Sequence, residues 1–375
     1  MYQFFQRHTI KLPLAVLMLV FLCCFQVVPA QAQSNDAPIT SQELVRMVQQ
    51  LPRHPEKRDE IVEEIRRRGI GFELTQGVRS VVASKSGNDA LLRRTLEEAA
   101  RRRVNPVASA LPPEAEARDL LARTRNVTLA ASNAMPDFIV KQLITRSYAR
   151  GETNNWSVSD RLTIAVSFRA QIGEEYKVLA VNGLPPNAEI KEGQSYEQLG
   201  GTSSTGEYVS MLAGLFKEES QAKFEAVDTD LLRGRRTIVY QFEVKKQNSH
   251  QTIKAAGAVS NTVVTGYRGR VWIDRELDRV LRMESIATEI PAGFPVAAAT
   301  SLIDYDWVTI NERPYLLPSR AEVILTSNYN GQTIQFRNEI RFRGYQKFGT
   351  EVRIIEDVDE TEEPPEEPTP VPRKP

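Results

Sequence analysis

The sequence predicts an α+β fold: a large curled antiparallel β-sheet (half-barrel) covered by helices, with a small N-terminal helical domain ahead of it. Three observations carry this expectation. The stretch Val263 to Ile290 reads as two strands joined by the short charged turn Asp274 to Asp278. Runs at 161–168, 237–244 and 334–342 alternate apolar and polar residues, the pattern of an antiparallel sheet with one wet face. Behind the capping box Ser204-Thr-Gly-Glu207, residues Tyr208, Met211, Leu212, Leu215 and Phe216 form the apolar stripe of a helix that interrupts the strands.

The chain begins with what reads as a secretory signal over residues 1–32. Arg7, His8 and Lys11 give a positive start, Leu12 to Val28 an apolar run, and Ala30-Gln-Ala32 a cleavage site. A retained membrane anchor is the rival reading. The run is short for a span and no basic cluster follows it, so cleavage is the expectation. The product would be a soluble protein of the periplasm or cell envelope. Both cysteines, Cys23 and Cys24, lie in that run, so the mature chain would hold none. A core of this size does not need disulfides.

Helical periodicity occupies 40–103. Thr40 or Ser41 caps a helix with Leu44, Val45, Val48 and Leu51 that ends before Pro52. A second carries Ile61, Val62 and Ile65 and stops at Gly69. Thr75 and Asp89 cap two more. Helices this short are marginal alone and are expected to form a small bundle. This segment has 14 basic and 10 acidic residues, a net of +4. The triplets Arg66-Arg67-Arg68 and Arg101-Arg102-Arg103 fall at helix C-termini, where the dipole favours cations, and read as an ordinary solvated charged face. The Pro/Ala-rich run 104–113 reads as a linker.

From 114 to 356 the reading is one helix, 114–134, followed by the half-barrel domain. Val271 and Ile273 should face one side of their strand and Trp272 the other. Weaker strands are expected at 138–148, 175–181, 301–310 and 315–325. The sheet must hide its apolar face, and the 114–134 and 206–217 helices are the available plugs. Residues 357–375 read as a disordered acidic, Pro-rich tail: Glu356 to Pro375 has six prolines and a net charge of −6.

Motifs of catalysis are missing from the sequence: no GxSxG, Walker loop, HExxH or dinucleotide-type glycine run. Only three histidines occur, which weighs against His-rich metal sites and a Ser-His-Asp triad. The expectation is a protein that is not an enzyme and has no cofactor or metal. Ser220-Gln-Ala-Lys223 matches SxxK by letters alone. Gly266-Tyr-Arg-Gly269 reads as a turn. Asp304 and Asp306 share a strand face with Leu302, Val308 and Ile310 and read as an exposed or salt-bridged pair. Asp137, Arg146, Glu207, Arg236 and Asp274 make a polar site only if the fold gathers them. The aromatic and sulfur-bearing set Phe138, Phe168, Tyr208, Met211, Phe216, Tyr240, Phe242, Trp272, Tyr305, Trp307 and Phe336 is mostly core material. A sheet wider than its plugs would leave part of it lining a hydrophobic ligand cavity.

The run Gly269-Arg-Val-Trp-Ile-Asp274, then Arg279-Val-Leu-Arg282, a tyrosine-bearing strand and Tyr315-Leu-Leu-Pro318 resembles the late strands of the periplasmic lipoprotein-carrier (LolA/LolB-like) superfamily, over roughly Asp137 to Ile355. That resemblance implies an eleven-stranded half-barrel, closed by helices, that carries acyl chains across the periplasm. The chain also resembles exported bacterial proteins sharing Pro136-Asp137-Phe138, Ser204-Thr-Gly-Glu207 and Arg233-Gly-Arg235, which adds no activity. The Ile65 to Ala99 region, with RRGIGFELT, is similar to a small helical module found in bacterial proteins of several architectures, which implies protein contact. The expected partners are therefore a lipid or other hydrophobic small molecule and an envelope protein met through 40–103, with no nucleic acid. A non-enzymatic envelope scaffold is the alternative function.

Overall fold

The structure, a computed structural model, describes residues 37–106, 110–151, 153, 155–185, 209–255, 261–329 and 331–349. The signal segment, the capping box with Tyr208 and Glu207, and the acidic tail lie outside them. The chain divides into two compact units, Met1–Ala37 and Pro38–Pro375, and the described helices and strands all belong to the second. Among the described residues no helix is long and apolar enough to cross a membrane.

Four short helices come first: α1 (Ser41–Val48), α2 (Arg58–Arg68), α3 (Gln76–Lys85) and α4 (Ala90–Val104). Their starts are set by side chains that accept otherwise orphaned backbone N–H groups. Thr40 accepts from Glu43 N at 3.2 Å, Thr75 from Val78 N at 3.4 Å and Asp89 from Leu92 N at 2.8 Å. Gly69, at φ +66°, ends α2 in a conformation side chains resist, and a parallel bridge then ties Ile39 to Ile70. Leu44, Val48, Ile61, Ile65, Leu92 and Leu96 fill the shared core.

After α5 (Glu114–Asn133) the chain becomes β-structure, interrupted by α6 (Val209–Phe216). The strands are β1 (Phe138–Arg150), β2 (Ser157–Arg169), β3 (Gly173–Val181), β4 (Lys223–Leu232), β5 (Arg235–Val244), β6 (Thr252–Ala255), β7 (Asn261–Val264), β8 (Gly266–Asp274), β9 (Arg279–Thr288), β10 (Val296–Ile310), β11 (Arg313–Tyr329) and β12 (Gln332–Lys347). Among the described residues they make one 10-stranded antiparallel sheet, ordered β3-β2-β1-β12-β11-β10-β9-β8-β5-β4, and a two-stranded β6–β7 hairpin. This is the α+β architecture expected, a curled sheet that stays open and is covered by helices. Two joins are not simple hairpins. The first strand pairs with the last, β1 with β12, and β5 skips to β8.

The sheet's two faces carry different contents. Val271 and Ile273 enter the main core, while Trp272 enters a smaller cluster with Leu232, Val239 and Leu281, as strand alternation requires. The main core gathers Phe138, Ile164, Tyr240, Phe242, Met283, Ile303, Ile340 and Phe342 against Ala117 and Leu120 of α5 and Leu212, Leu215 and Phe216 of α6. Burying each such large apolar side chain stabilises by about 1.5–3 kcal/mol.

Two sequence readings need correction. Gly266 to Gly269 is strand, not turn: both glycines lie in β8, and Gly269 pairs with Ser285. A Cβ on Gly269 would stand 1.8 Å from the Glu284 carbonyl oxygen, so glycine answers a close strand approach. Asp304 does not share a face with Ile310. Along β10 the main core takes Ile303 and Tyr305 and then Val308 and Ile310, so the alternation breaks after Tyr305. Ile310 therefore joins the main core, whereas Asp304 pairs with Arg282 at 2.7 Å beside Trp272.

Gly269→Ala should lower stability by about 1–3 kcal/mol, the range for overpacking. Gly214→Ala, in α6 where a Cβ meets nothing within 4 Å, should raise it by up to about 1 kcal/mol. Urea unfolding of the two variants beside wild type checks both signs.

Candidate functional site

Most of the expected cavity set is packing. Phe138 stacks on Phe168 with ring centroids 5.2 Å apart and meets Tyr345 edge-on at 5.5 Å. Phe216 stacks on Phe224 at 5.4 Å, and Phe242 bridges Phe224 and Tyr267. Tyr240 is buried and donates to the Ala117 carbonyl of α5 at 2.7 Å, pinning that helix into the trough. Burial pushes the Tyr240 phenol up from its ordinary value, so it stays a donor at any physiological pH. Met211 packs on the same core. Trp272 is on the opposite face, and Phe336 is half-buried on β12. The four described members of the polar set do not assemble either, Glu207 lying outside the described residues. Asp137 accepts from Ala170 N, Arg146 pairs with Asp160, Asp274 with Arg235, and Arg236 is exposed.

Among the described residues there is a concavity at the end of α5. It measures about 210 Å³ and is partly enclosed. Its walls come from the end of α5 and the residues after it (Thr128, Ala131, Ser132, Ala134, Met135), from Leu212 of α6, from Arg279 and Val280 of β9, from Tyr305 and Trp307 of β10, and from Pro314 to Pro318 of β11. Of the ten described residues among the eleven expected to line a cavity, Tyr305 and Trp307 do so, Tyr208 lying outside the described residues. The Tyr315-Leu-Leu-Pro318 run and Arg279 were visible in the sequence, but no periodicity there separates a lining residue from a packed one.

The wall is apolar except for a few groups. The Trp307 indole N–H is buried and donates to nothing among the described residues. Arg279 is half-buried, and burial holds its guanidinium below the usual range despite the favourable charge of Asp278. That carboxylate is already engaged by Arg123, both of whose contacts measure 3.1 Å. Thr128 and Ser132 add hydroxyls from the helix side.

The sheet's other face holds a second concentration of charge, and it overturns the reading of the arginine triplets as a solvated face. Arg101 reaches Asp230, Arg102 reaches Asp228 at 3.1 Å, Arg66 stands 3.6 Å from Glu284, and Arg94 also binds Glu284. In return Arg270 of β8 meets Glu63 of α2 at 3.6 Å. Arg66, Arg101 and Arg102 of the triplets are thus docking groups for β4 and β9, whereas Arg67 and Arg68 pair with Glu64 and Glu43 of the module itself and Arg103 is exposed. Charge counting missed this because the complementary carboxylates lie more than a hundred residues away. Glu98 sits buried in this layer. Burial first, then the nearby Asp230, pushes its carboxyl up to about 7.

No family model and no curated protein matches this chain. Solved structures similar to it include a DUF1329 family protein from Desulfovibrio piger, 9% identical, covering 61% of this chain and 92% of the other at a TM-score of 0.26. Another is the Pseudomonas aeruginosa MucA/MucB complex, 10% identical, covering 59% and 98% at a TM-score of 0.17. At such scores these likenesses carry nothing about function.

The raised Glu98 value has a defined consequence. The folded state holds its proton more tightly than the unfolded chain, so the group's contribution is fully present below the ordinary carboxyl value of 4.5 and is lost as pH rises through about 7. Glu98→Gln should therefore gain stability over wild type between about pH 5 and pH 8. Urea midpoints of both proteins across that window measure it, and a constant difference would exclude a buried, titrating Glu98.

Proposed function

We propose that this is an exported, non-enzymatic envelope protein that holds a small hydrophobic molecule, or one end of a lipid, in the cavity at the end of the trough. The observation that supports it is the unfilled apolar concavity, about 210 Å³, beside a core that is otherwise packed by α5 and α6. Apolar voids of about 150 Å³ suffice for a benzene-sized guest, whereas pockets for drug-sized ligands run from about 300 Å³ upward. The occupant is therefore a single ring or a short chain end. A whole acyl chain lying along the trough would have to displace α5 or α6.

The scaffold alternative draws on the helical module, whose partner-binding face would be its arginines. Four of those arginines, Arg66, Arg94, Arg101 and Arg102, are turned onto the chain's own sheet. That occupancy favours the cavity as the functional place.

Calorimetric titration with octan-1-ol tests the proposal on the full mature chain. Wild type should bind saturably at one site. Ala131→Phe, which adds a ring from the α5 wall, should lose that binding while its melting temperature stays within about 3 °C. Absence of saturable binding to wild type, or equal binding by the variant, overturns the reading.

A further inference from the structure

We infer that the occupant of this cavity carries one carboxylate, seated on Arg279 and Trp307, with its apolar body against Leu212, Val280 and Leu317. The inference rests on the cavity reading and adds the chemical class of the ligand.

Two residues of the cavity wall carry donors with no partner among the described residues. The Arg279 side chain has no hydrogen bond or ion pair among the described residues, and its sequence neighbour Asp278 is committed to Arg123. Three other arginines of this sheet are answered by carboxylates: Arg282 by Asp304, Arg235 by Asp274, Arg146 by Asp160. An unanswered guanidinium set half-buried in an apolar wall is costly unless something outside the fold supplies the anion. The Trp307 N–H is a donor only, buried, and equally without an acceptor.

The strand ladder explains why they share this wall. Asp304 of β10 lies opposite Arg282 of β9. Beyond that last pair both strands run on into the cavity wall, which takes Arg279 and Val280 from β9 and Tyr305 and Trp307 from β10.

Charge and size then narrow the class. One guanidinium balances one negative charge, and its planar fork matches the two oxygens of a carboxylate. A phosphate monoester would leave part of its charge uncompensated against apolar walls. A volume of about 210 Å³, at about 30 Å³ per water-sized group, leaves room for a short chain or one ring behind the head.

The experiment compares octanoate, octan-1-ol and octyl phosphate on the full mature chain, for wild type, Arg279→Met and Trp307→Phe. Octanoate should bind wild type roughly tenfold to a hundredfold more tightly than octan-1-ol, the ratio a charge-assisted hydrogen bond supplies, and more tightly than octyl phosphate. Arg279→Met should erase the preference for octanoate while retaining octan-1-ol binding, which also shows that the variant is folded. Trp307→Phe should keep part of the preference. If octan-1-ol binds and octanoate binds no better, the carboxylate assignment fails and the apolar cavity stands. A preference that survives in Arg279→Met, or tighter binding of octyl phosphate, also overturns it. If neither octanoate nor octan-1-ol binds wild type, this inference and the cavity reading fall together.

Discussion

An antiparallel sheet of this width that does not close on itself must have its apolar face covered, and the burial of that face under α5 and α6 is the constraint on which the rest of the structure depends. Ala117 and Leu120 supply the helix side of the contact, and the Tyr240 hydroxyl fixes its position through the Ala117 carbonyl. That hydrogen bond matters beyond its modest net worth. A buried phenol without an acceptor costs about 1–3 kcal/mol, so the helix is favoured in the one placement that satisfies it. The connectivity enforces the same result. Pairing β1 with β12 joins segments almost two hundred residues apart, so the sheet's edges and the helices over it are specified together rather than one after another.

Much of this was legible because it follows from local periodicity. The alternation at 161–168, 237–244 and 334–342 maps onto β2, β5 and β12, and the caps Thr40, Thr75 and Asp89 all accept the backbone donors their positions imply. Features that depend on irregularities were not legible. Gly269 carries no side-chain signal and looks like a turn residue until the Glu284 carbonyl is seen against it. The break in alternation along β10, after Tyr305 and before Val308, is one that no two-residue period can reveal. The aromatic set could be named as apolar but not sorted. Trp307 lines a void and Phe242 fills a core, and their local sequence patterns do not distinguish them.

The helical module illustrates how charge can be structural. Its arginines lie at helix C-termini, where an isolated helix would tolerate them in water. Here they meet Asp228, Asp230 and Glu284 across a buried layer. Such a layer adds little net stability, because desolvation offsets most of the attraction. It does penalise wrong placements, since a shifted module would bury these charges without partners. A few apolar residues, Leu232, Val239, Trp272 and Leu281, cluster on the same face. The charges are therefore better understood as setting where the module docks than how strongly.

The position of the cavity follows from the different rise of helix and strand. The twenty residues of α5 span about 30 Å at 1.5 Å each, whereas the fifteen of β10 and seventeen of β11 run to about 50 Å or more. A helix of that length cannot cover strands of that length, so each end of the β10–β11 hairpin needs another cover. At the Val296 and Leu325 end, the β6–β7 hairpin brings Ile253, Ala255 and Val263 against Val296 and Ala299. At the Trp307 and Tyr315 end, α5 stops at Asn133 ahead of Pro136, and what stands between Leu212, Tyr305 and Leu317 is the void. Among the described residues, one overhang is closed by protein and the other is not. The unclosed one holds the donors Arg279 and Trp307, where a fold that merely ran out of helix would have left only hydrocarbon.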